Sequence, residues 1–171
     1  MIKNNLLMLS LENNIAKQTL QKFAEQLDMF FVNVDDILQY NMINKNMIDN
    51  AGLEYFEREQ KKVMLCISEY DNSLVCGELS LFFKDDILER FQNNFLTIYL
   101  KYSQNDIQKF QKQFYTNDNQ NIKKNLVAFD DEDKACQKVS DATVLMTKNE
   151  EEDIESIKNT LLNFVRNNEK Y

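Results

Sequence analysis

Histidine and proline are absent from the 171-residue sequence, and glycine occurs only twice. Without histidine the chain lacks the commonest general base and the commonest ligand of transition metals, so we predict no metal site. With two glycines, few positions can take a positive φ without strain. This scarcity disfavours a loop that wraps a phosphate group with successive backbone N–H groups.

Acidic residues outnumber basic ones, 28 to 20, and the formal net charge is −8. The only arginines are Arg58, Arg90 and Arg166. An acidic chain of this kind is repelled by nucleic acid, so we predict no nucleic-acid partner. No run of 18 apolar residues occurs, and we therefore expect no membrane span.

The cysteines do not form a motif. They are Cys66, Cys76 and Cys136, and their wide spacing fits neither a zinc site nor a redox pair. We expect a reduced, cytoplasmic protein. The apolar N-terminal stretch has no small-residue cleavage site, and we interpret it as a strand and not as a signal peptide.

Five short apolar runs predict strands that are buried on both faces. They are residues 6–11, 29–34, 73–76, 96–100 and 142–146. Helical spacing of apolar residues predicts helices between them, around 20–27, 56–67, 87–91 and 154–165. Strands that alternate with helices predict a three-layer α/β/α domain with a five-stranded parallel sheet.

No linker divides the chain, so we predict a single domain over 1–171. The segment 103–134 is polar and the least regular, and we interpret it as a helical, lid-like excursion. Within it, the aromatic and lysine-bearing stretch 107–115 is a candidate contact surface.

The acidic runs 130–134 and 149–153 do not have the spacing of a calcium loop, and we expect both to be solvated, with 149–153 placing acid at a helix N-terminus.

The order of these segments resembles the shikimate kinases, small P-loop phosphotransferases. "FVNVDD" (31–36) stands where the family has F-x-D-x-D, and "GLEYFE" (52–57) where it has G-E-x-x-F-R. "TIYLK" (97–101) is similar to the strand V-V-Y-L, and "CQKVSDATVLMT" (136–147) to Y-E-x-A-D-x-x-x-x-T. The resemblance covers nearly the whole chain and implies a P-loop-kinase-like fold.

The family's phosphate loop, the Walker A motif G-x-x-G-x-G-K-[ST], falls on "SLENNIAK", residues 10–17. Ser10, Asn13 and Ile15 then replace the glycines, and Ala16 replaces the lysine that reaches the phosphates. Lys17 takes the place of the magnesium-binding hydroxyl, and it remains the candidate nucleotide-binding residue. The resemblance therefore implies a degenerate Walker A motif.

The acceptor side departs from the family in a similar way. The arginine of G-E-x-x-F-R, which grips the substrate carboxylate, falls on Glu57, and Arg58 is one place further on. A second family arginine falls near Glu132, and of the family's glycine triplet only Gly77 remains. Arg58 and Gly77 are candidate substrate-binding residues.

One polar residue of the family pattern is kept. Asp35 matches the second aspartate of F-x-D-x-D, which in the family contacts substrate hydroxyls and acts as base, so Asp35 is the candidate catalytic and substrate-binding residue. It would lie at the carboxyl end of a parallel strand, where ligands bind in such sheets. The alternative is structural, with an aspartate here serving as the N-cap of the next helix.

These residues support three hypotheses of function. The first is a shikimate-kinase-like pseudokinase that binds or regulates a protein partner or a small polar metabolite, with no cofactor expected. The second is a divergent shikimate kinase of aromatic amino acid biosynthesis, which would use ATP and Mg²⁺ to phosphorylate a small hydroxylated acid. The third keeps a small-ligand pocket in the crevice of the sheet without catalysis.

Overall fold

A computed structural model describes the backbone of residues 4–84, 86–114 and 119–168, and their side chains except those of 111–114, 119–128 and 168. The elements are β1 (Asn5–Leu9), α1 (Asn13–Gln26), β2 (Phe30–Asn33), α2 (Val34–Tyr40), α3 (Lys45–Ala51), α4 (Leu53–Ile67), β3 (Ser73–Cys76), α5 (Leu79–Phe82), α6 (Ile87–Asn94), β4 (Phe95–Lys101), α7 (Gln104–Phe114), α8 (Asn119–Val139), β5 (Ala142–Leu145) and α9 (Glu150–Asn168).

The strands form one five-stranded sheet in the order β2-β3-β1-β4-β5, and all its pairings are parallel. β1 lies in the middle, where Leu7 is opposite Val75 on one side and Thr97 on the other. Side chains of a strand alternate between the two faces. Leu6 and Met8 accordingly belong to one buried cluster and Leu7 and Leu9 to the other.

Helices cover both faces of the sheet. On one face α1 and α9 contribute Leu20, Phe23 and Ile157, each at most 1 % exposed. On the other face α4 and α6 contribute Met64 and Phe91. The predicted three-layer α/β/α architecture with a parallel sheet is confirmed.

Three strands end earlier than the apolar runs predict, and β5 does so by one residue, at Leu145. β1 ends at Leu9, so Ser10 and Leu11 belong to the following turn. β2 ends at Asn33 because the Asn33 side chain accepts a hydrogen bond from the N–H of Asp36, at 3.1 Å, and caps α2. The alternative that an aspartate caps this helix is wrong, since Asp35 lies inside its first turn.

The described part of the segment 103–134 is mostly helical, as predicted, and its second helix α8 continues to Val139. Ile107, in the candidate contact surface 107–115, is buried in the core. The side chains of 111–115 lie outside the described residues. The contact surface and the lid-like role of the segment remain predictions.

The expectation that both acidic runs are solvated is wrong for one residue in each. Asp153 is only 1 % exposed, and its carboxylate accepts hydrogen bonds from the N–H groups of Thr147 and Lys148, at 2.6 and 3.1 Å. The Asp133 side chain is 13 % exposed and accepts from the buried hydroxyl of Tyr99 and the ammonium of Lys101, both at 2.8 Å. Each acid ties its helix to the end of a strand or to a turn.

Candidate functional site

The crevice of the sheet opens at the carboxyl ends of β1 and its neighbours. The chain passes from β3 on one side of β1 to β4 on the other, and ligands bind at such a switch point in open parallel sheets. Three segments meet here: the β1–α1 turn at 10–12, the first turn of α2 and the residues after β3. These segments carry Asp35 and Gly77, two of the four residues predicted to form the site.

The β1–α1 turn is short and hydrogen-bonded to itself. The N–H of Glu12 donates to Ser10 Oγ at 3.3 Å, and Ser10 Oγ donates to the Glu12 carbonyl at 3.1 Å. The N–H of Ile15 donates to the same carbonyl at 3.3 Å. None of residues 10–17, all of which the structure describes, has a positive φ. The backbone N–H groups of Glu12 and Ile15 therefore have partners within the turn.

One side chain of this segment reaches across the crevice to α2, and two others pack into the core. Asn13, at the start of α1, is 8 % exposed, and its amide donates to Asp35 Oδ2 at 3.0 Å. Ile15 packs against the core beneath α1, and Ala16 is fully buried. The residues at the glycine positions of the family motif thus make contacts within the protein.

Asp35 lies at the centre of these contacts. Its second oxygen accepts a weak hydrogen bond from the N–H of Glu78, at 3.4 Å, just after β3. Burial raises the pKa of the Asp35 carboxyl; the Glu78 N–H and the Asn13 amide oppose this shift, and the carboxylates of Glu78 and Asp36 add to it. Asp35 is therefore more readily protonated than an ordinary aspartate.

Lys17 projects from α1 toward α2. Its ammonium forms an ion pair with Asp36 at 2.7 Å, and both side chains are partly exposed. The predicted nucleotide-binding lysine thus lies beside the predicted catalytic segment, but a carboxylate already neutralises its charge. Exposed pairs of this kind contribute little to stability.

The other two candidates behave differently from each other. Gly77 is joined to Asp35 through its neighbour Glu78, and a Cβ at Gly77 would lie 2.9 Å from Val34 Cβ. The end of β3 packs so closely on α2 that a larger residue would not fit at this position, which is a structural reason for glycine here. Arg58 lies on an exposed part of α4, stacked 4.9 Å from the Tyr55 ring centroid and 3.5 Å from Glu59. Its substrate-binding role stays a prediction.

A separate cavity of about 240 Å³ lies between α4 and the segment that runs from α5 to the start of α6. Its lining residues are Glu57, Gln60, Lys61, Met64, Leu81, Lys84 and Ile87. None of the predicted site residues is among them. Sequence reasoning missed this cavity because its walls are distant in the chain, and only the position of Glu57 had drawn attention.

The described residues offer no group of three or more Asp, Glu, Cys or His side chains that could hold a metal ion. Burial raises the pKa of the Cys76 thiol to about 12, and that of Cys136 likewise to about 12. Neither thiol ionises near neutral pH, so neither is a nucleophile or a ready metal ligand.

The pKa of Asp35 gives a stability prediction with a definite sign. Because the folded-state pKa is raised, stability is lost as the pH rises from the ordinary value of 3.8 through the folded-state pKa. Asn cannot ionise, so Asp35→Asn should be at least as stable as the wild type at pH 7. Its advantage should vanish in acid, as measured by urea unfolding at several pH values.

The matched control for this comparison is Asp36→Asn, which changes an exposed carboxylate one residue away. We expect that change to stay within roughly 0.5 kcal/mol at every pH. A marked loss of stability in Asp35→Asn at pH 7 would contradict the interpretation that the buried charge is unfavourable.

Comparison with known proteins identifies the family of the sequence and solved structures with a similar fold. The sequence profile described as shikimate kinase matches residues 15–162. The chain belongs to the shikimate kinase family. The matched span begins inside α1 and leaves out β1 and the turn at 10–12. No curated protein matches the sequence.

Solved shikimate kinases share the fold at low sequence identity. The enzyme from Bacteroides thetaiotaomicron superposes with a TM-score of 0.75 at 12 % identity, over 93 % of this chain and 98 % of that one. The enzyme from Aquifex aeolicus gives 0.70 at 19 % identity, over 96 % and 97 %. The Acinetobacter baumannii enzyme, solved in complex with shikimate, gives 0.73 at 14 % identity, over 96 % and 93 %. The predicted family and P-loop-kinase-like fold are confirmed.

Among the helices in the described ranges, none is both long and apolar enough to cross a bilayer.

Proposed function

We propose that this member of the shikimate kinase family does not transfer phosphate and acts as a binding or regulatory module. The observation that carries the proposal is the β1–α1 turn, where the N–H groups of Glu12 and Ile15 and the side chain of Asn13 are engaged within the protein. Phosphoryl transfer depends almost wholly on positioning and on neutralising charge. A protein without the parts that do this retains little means of catalysis.

On the donor side, a triphosphate fits the turn poorly. Backbone N–H groups converge on a phosphate when the loop alternates right- and left-handed residues, and residues 10–17 include no left-handed one. Lys17 is paired with Asp36, and Glu12, Asp35 and Glu78 add negative charge around the mouth. These carboxylates would repel the phosphates.

On the acceptor side, the positions of two family arginines carry acids. Glu57 and Glu132 would repel a substrate carboxylate where the family uses a guanidinium fork. Arg58 is held by Tyr55 and Glu59 on the exposed part of α4. The chain therefore has few groups that could bind the phosphates of a donor or the carboxylate of an acceptor.

A divergent ATP-dependent kinase acting on a small hydroxylated acid is the second candidate. Asp35 favours it, because the residue keeps its place at the crevice and its raised pKa suits a group that accepts and returns a proton. In this case Lys17 would have to exchange Asp36 for a phosphate, and Lys17→Ala would lower the affinity for ATP.

Thermal unfolding with Mg-ATP, Mg-ADP and shikimate, separately and combined, tests the proposal. A ligand at about 100 times its Kd adds roughly 2.7 kcal/mol to the stability of the folded state. At about 2–4 °C per kcal/mol for a domain of this size, the midpoint would rise by several degrees. We expect no shift with any of these ligands.

The variant Lys17→Ala serves as the control, since it removes the only lysine predicted to meet a nucleotide. A shift with nucleotide in the wild type that disappears in Lys17→Ala would contradict the proposal and support the kinase.

A further inference from the structure

The cavity between α4 and the α5–α6 segment combines an apolar floor with a charged rim. Met64, Leu81 and Ile87 form the floor, and each is at most 5 % exposed. The rim carries two ammonium groups, from Lys61 and Lys84, and one carboxylate, from Glu57. A ligand that filled this cavity would meet apolar surface at one end and charges of both signs at the other.

The rim charges differ in how far the protein already satisfies them. Lys61 forms an ion pair with Asp86 at 3.0 Å, and Asp86 also pairs with Arg90. The Lys84 ammonium lies 3.5 Å from the neutral amide oxygen of Gln60. Among the described residues, the Lys84 ammonium therefore has a neutral amide as its partner and not a carboxylate.

Glu57 lies on α4, three residues before Gln60, the residue that contacts Lys84. It makes no ion pair with any described residue, although Lys61 lies one turn along the same face of the helix. A simple anion in the cavity would satisfy Lys84 but would be repelled by Glu57. A simple cation would be attracted by Glu57 but repelled by Lys84.

We propose that this cavity binds a small zwitterion with an apolar side chain, that is, a free α-amino acid of the aromatic or branched aliphatic kind. Its carboxylate would meet Lys84, its ammonium group Glu57, and its side chain the floor of Met64, Leu81 and Ile87. Charge-assisted hydrogen bonds of this type give the head group its specificity. Removal of the ligand's own apolar side chain from water against this floor adds to the affinity.

The size of the cavity agrees with such a ligand. Pockets for drug-sized molecules enclose roughly 300–1,000 Å³, and this cavity, at about 240 Å³, suits a smaller metabolite. Its lining includes neither Asp35 nor Lys17, but it does include Glu57, the position of a family arginine. The inference names a ligand for the cavity at this position, and it stands whether or not the chain transfers phosphate.

Isothermal titration of the full chain, without nucleotide, tests the inference. The probes are L-phenylalanine and L-leucine, with 3-phenylpropionate lacking the ammonium group and 2-phenylethylamine lacking the carboxylate. We expect at least one amino acid to bind, and each truncated analogue of L-phenylalanine to bind at least about tenfold more weakly than the amino acid that binds best, as loss of one charged hydrogen bond implies.

Two variants locate the site. Lys84→Ala and Glu57→Gln should each weaken amino-acid binding at least about tenfold, and both residues are exposed, so folding is expected to persist. Lys62→Ala is the matched control, because Lys62 lies on α4, is 63 % exposed in its side chain and does not line the cavity.

Three results would overturn the inference: no binding of either amino acid, equal binding of 3-phenylpropionate, or unchanged affinity in both Lys84→Ala and Glu57→Gln. A nucleotide-induced shift in thermal unfolding would instead bear on the proposed function and leave this inference in place.

Discussion

Asp153→Ala is expected to lower the free energy of unfolding by about 2–4 kcal/mol, because a buried acceptor of charged hydrogen bonds is removed. The Asp153 carboxylate accepts from the N–H of Thr147, the hydroxyl of Thr147 and the N–H of Lys148. Lys148 has a φ of 68°, an uncommon conformation for lysine that this hydrogen-bonded turn supports. Without the carboxylate, two backbone N–H groups lose their partner at the junction of β5 and α9.

The measurement is urea or thermal unfolding, in which the midpoint should fall by several degrees or more at about 2–4 °C per kcal/mol. Glu151→Ala is the matched control, since Glu151 is an exposed acid in the same helical turn. It should stay within roughly 0.5 kcal/mol of the wild type. Equal effects of the two substitutions would mean that Asp153 acts only through the general charge of the helix N-terminus.

Asp133→Ala is expected to cost about 2–3 kcal/mol, the second largest effect. Tyr99 is fully buried and donates its hydroxyl to Asp133, while Lys101 from the same strand donates to the other oxygen. Alanine would leave the tyrosine hydroxyl buried without this acceptor. It would also remove a link between α8 and β4.

This contribution should depend on pH in a defined direction. Burial alone would raise the pKa of Asp133, but the Lys101 ammonium and the Tyr99 hydroxyl hold it below the ordinary value of 3.8. The stabilisation is therefore present above that value and is lost as the pH falls through the folded-state pKa. The difference between wild type and Asp133→Ala should narrow in strong acid.

Asp131→Ala, which changes an exposed acid of the same run, is the control and should have little effect. A pH-independent difference between wild type and Asp133→Ala would show that the lost contacts, and not the ionised carboxylate, account for the change.

The sequence was sufficient to predict the sheet, because burial on both faces produces continuous apolar runs that few other structures require. The boundaries depended on side-chain contacts that composition does not reveal. β2 stops where Asn33 caps α2, and β1 stops where Ser10 bonds to Glu12. Each of these hydrogen bonds joins residues that are two or three positions apart. The same residues could also have continued the strand, so the sequence alone does not show where the strand ends.

The acidic runs show why local patterns fail for individual residues. Asp133 and Asp153 sit in stretches that are otherwise exposed, and their burial follows from partners such as Tyr99, 34 positions away. The same holds for the candidate site. The sequence predicts Asp35 at the end of a strand, but the hydrogen bond from Asn13 to Asp35 joins residues 22 positions apart and could not be predicted from spacing.

The β1–α1–β2 unit does not need a bound phosphate in order to form, because its stability comes from the core. Leu6 and Met8 of β1 and Leu20 and Phe23 of α1 are each at most 5 % exposed. Burial of apolar surface is the dominant favourable term in folding, and it does not require a bound phosphate. The fold and the chemistry of the family can therefore diverge independently.

The most direct test of the central claim is a phosphoryl-transfer assay with labelled Mg-ATP and shikimate. The blank is the Asp35→Asn variant, and an active shikimate kinase measured alongside verifies the assay. We predict no phosphorylated product from the wild-type chain above that blank. Turnover that Asp35→Asn abolishes would contradict the account and would establish a kinase that works without the family's glycines and lysine.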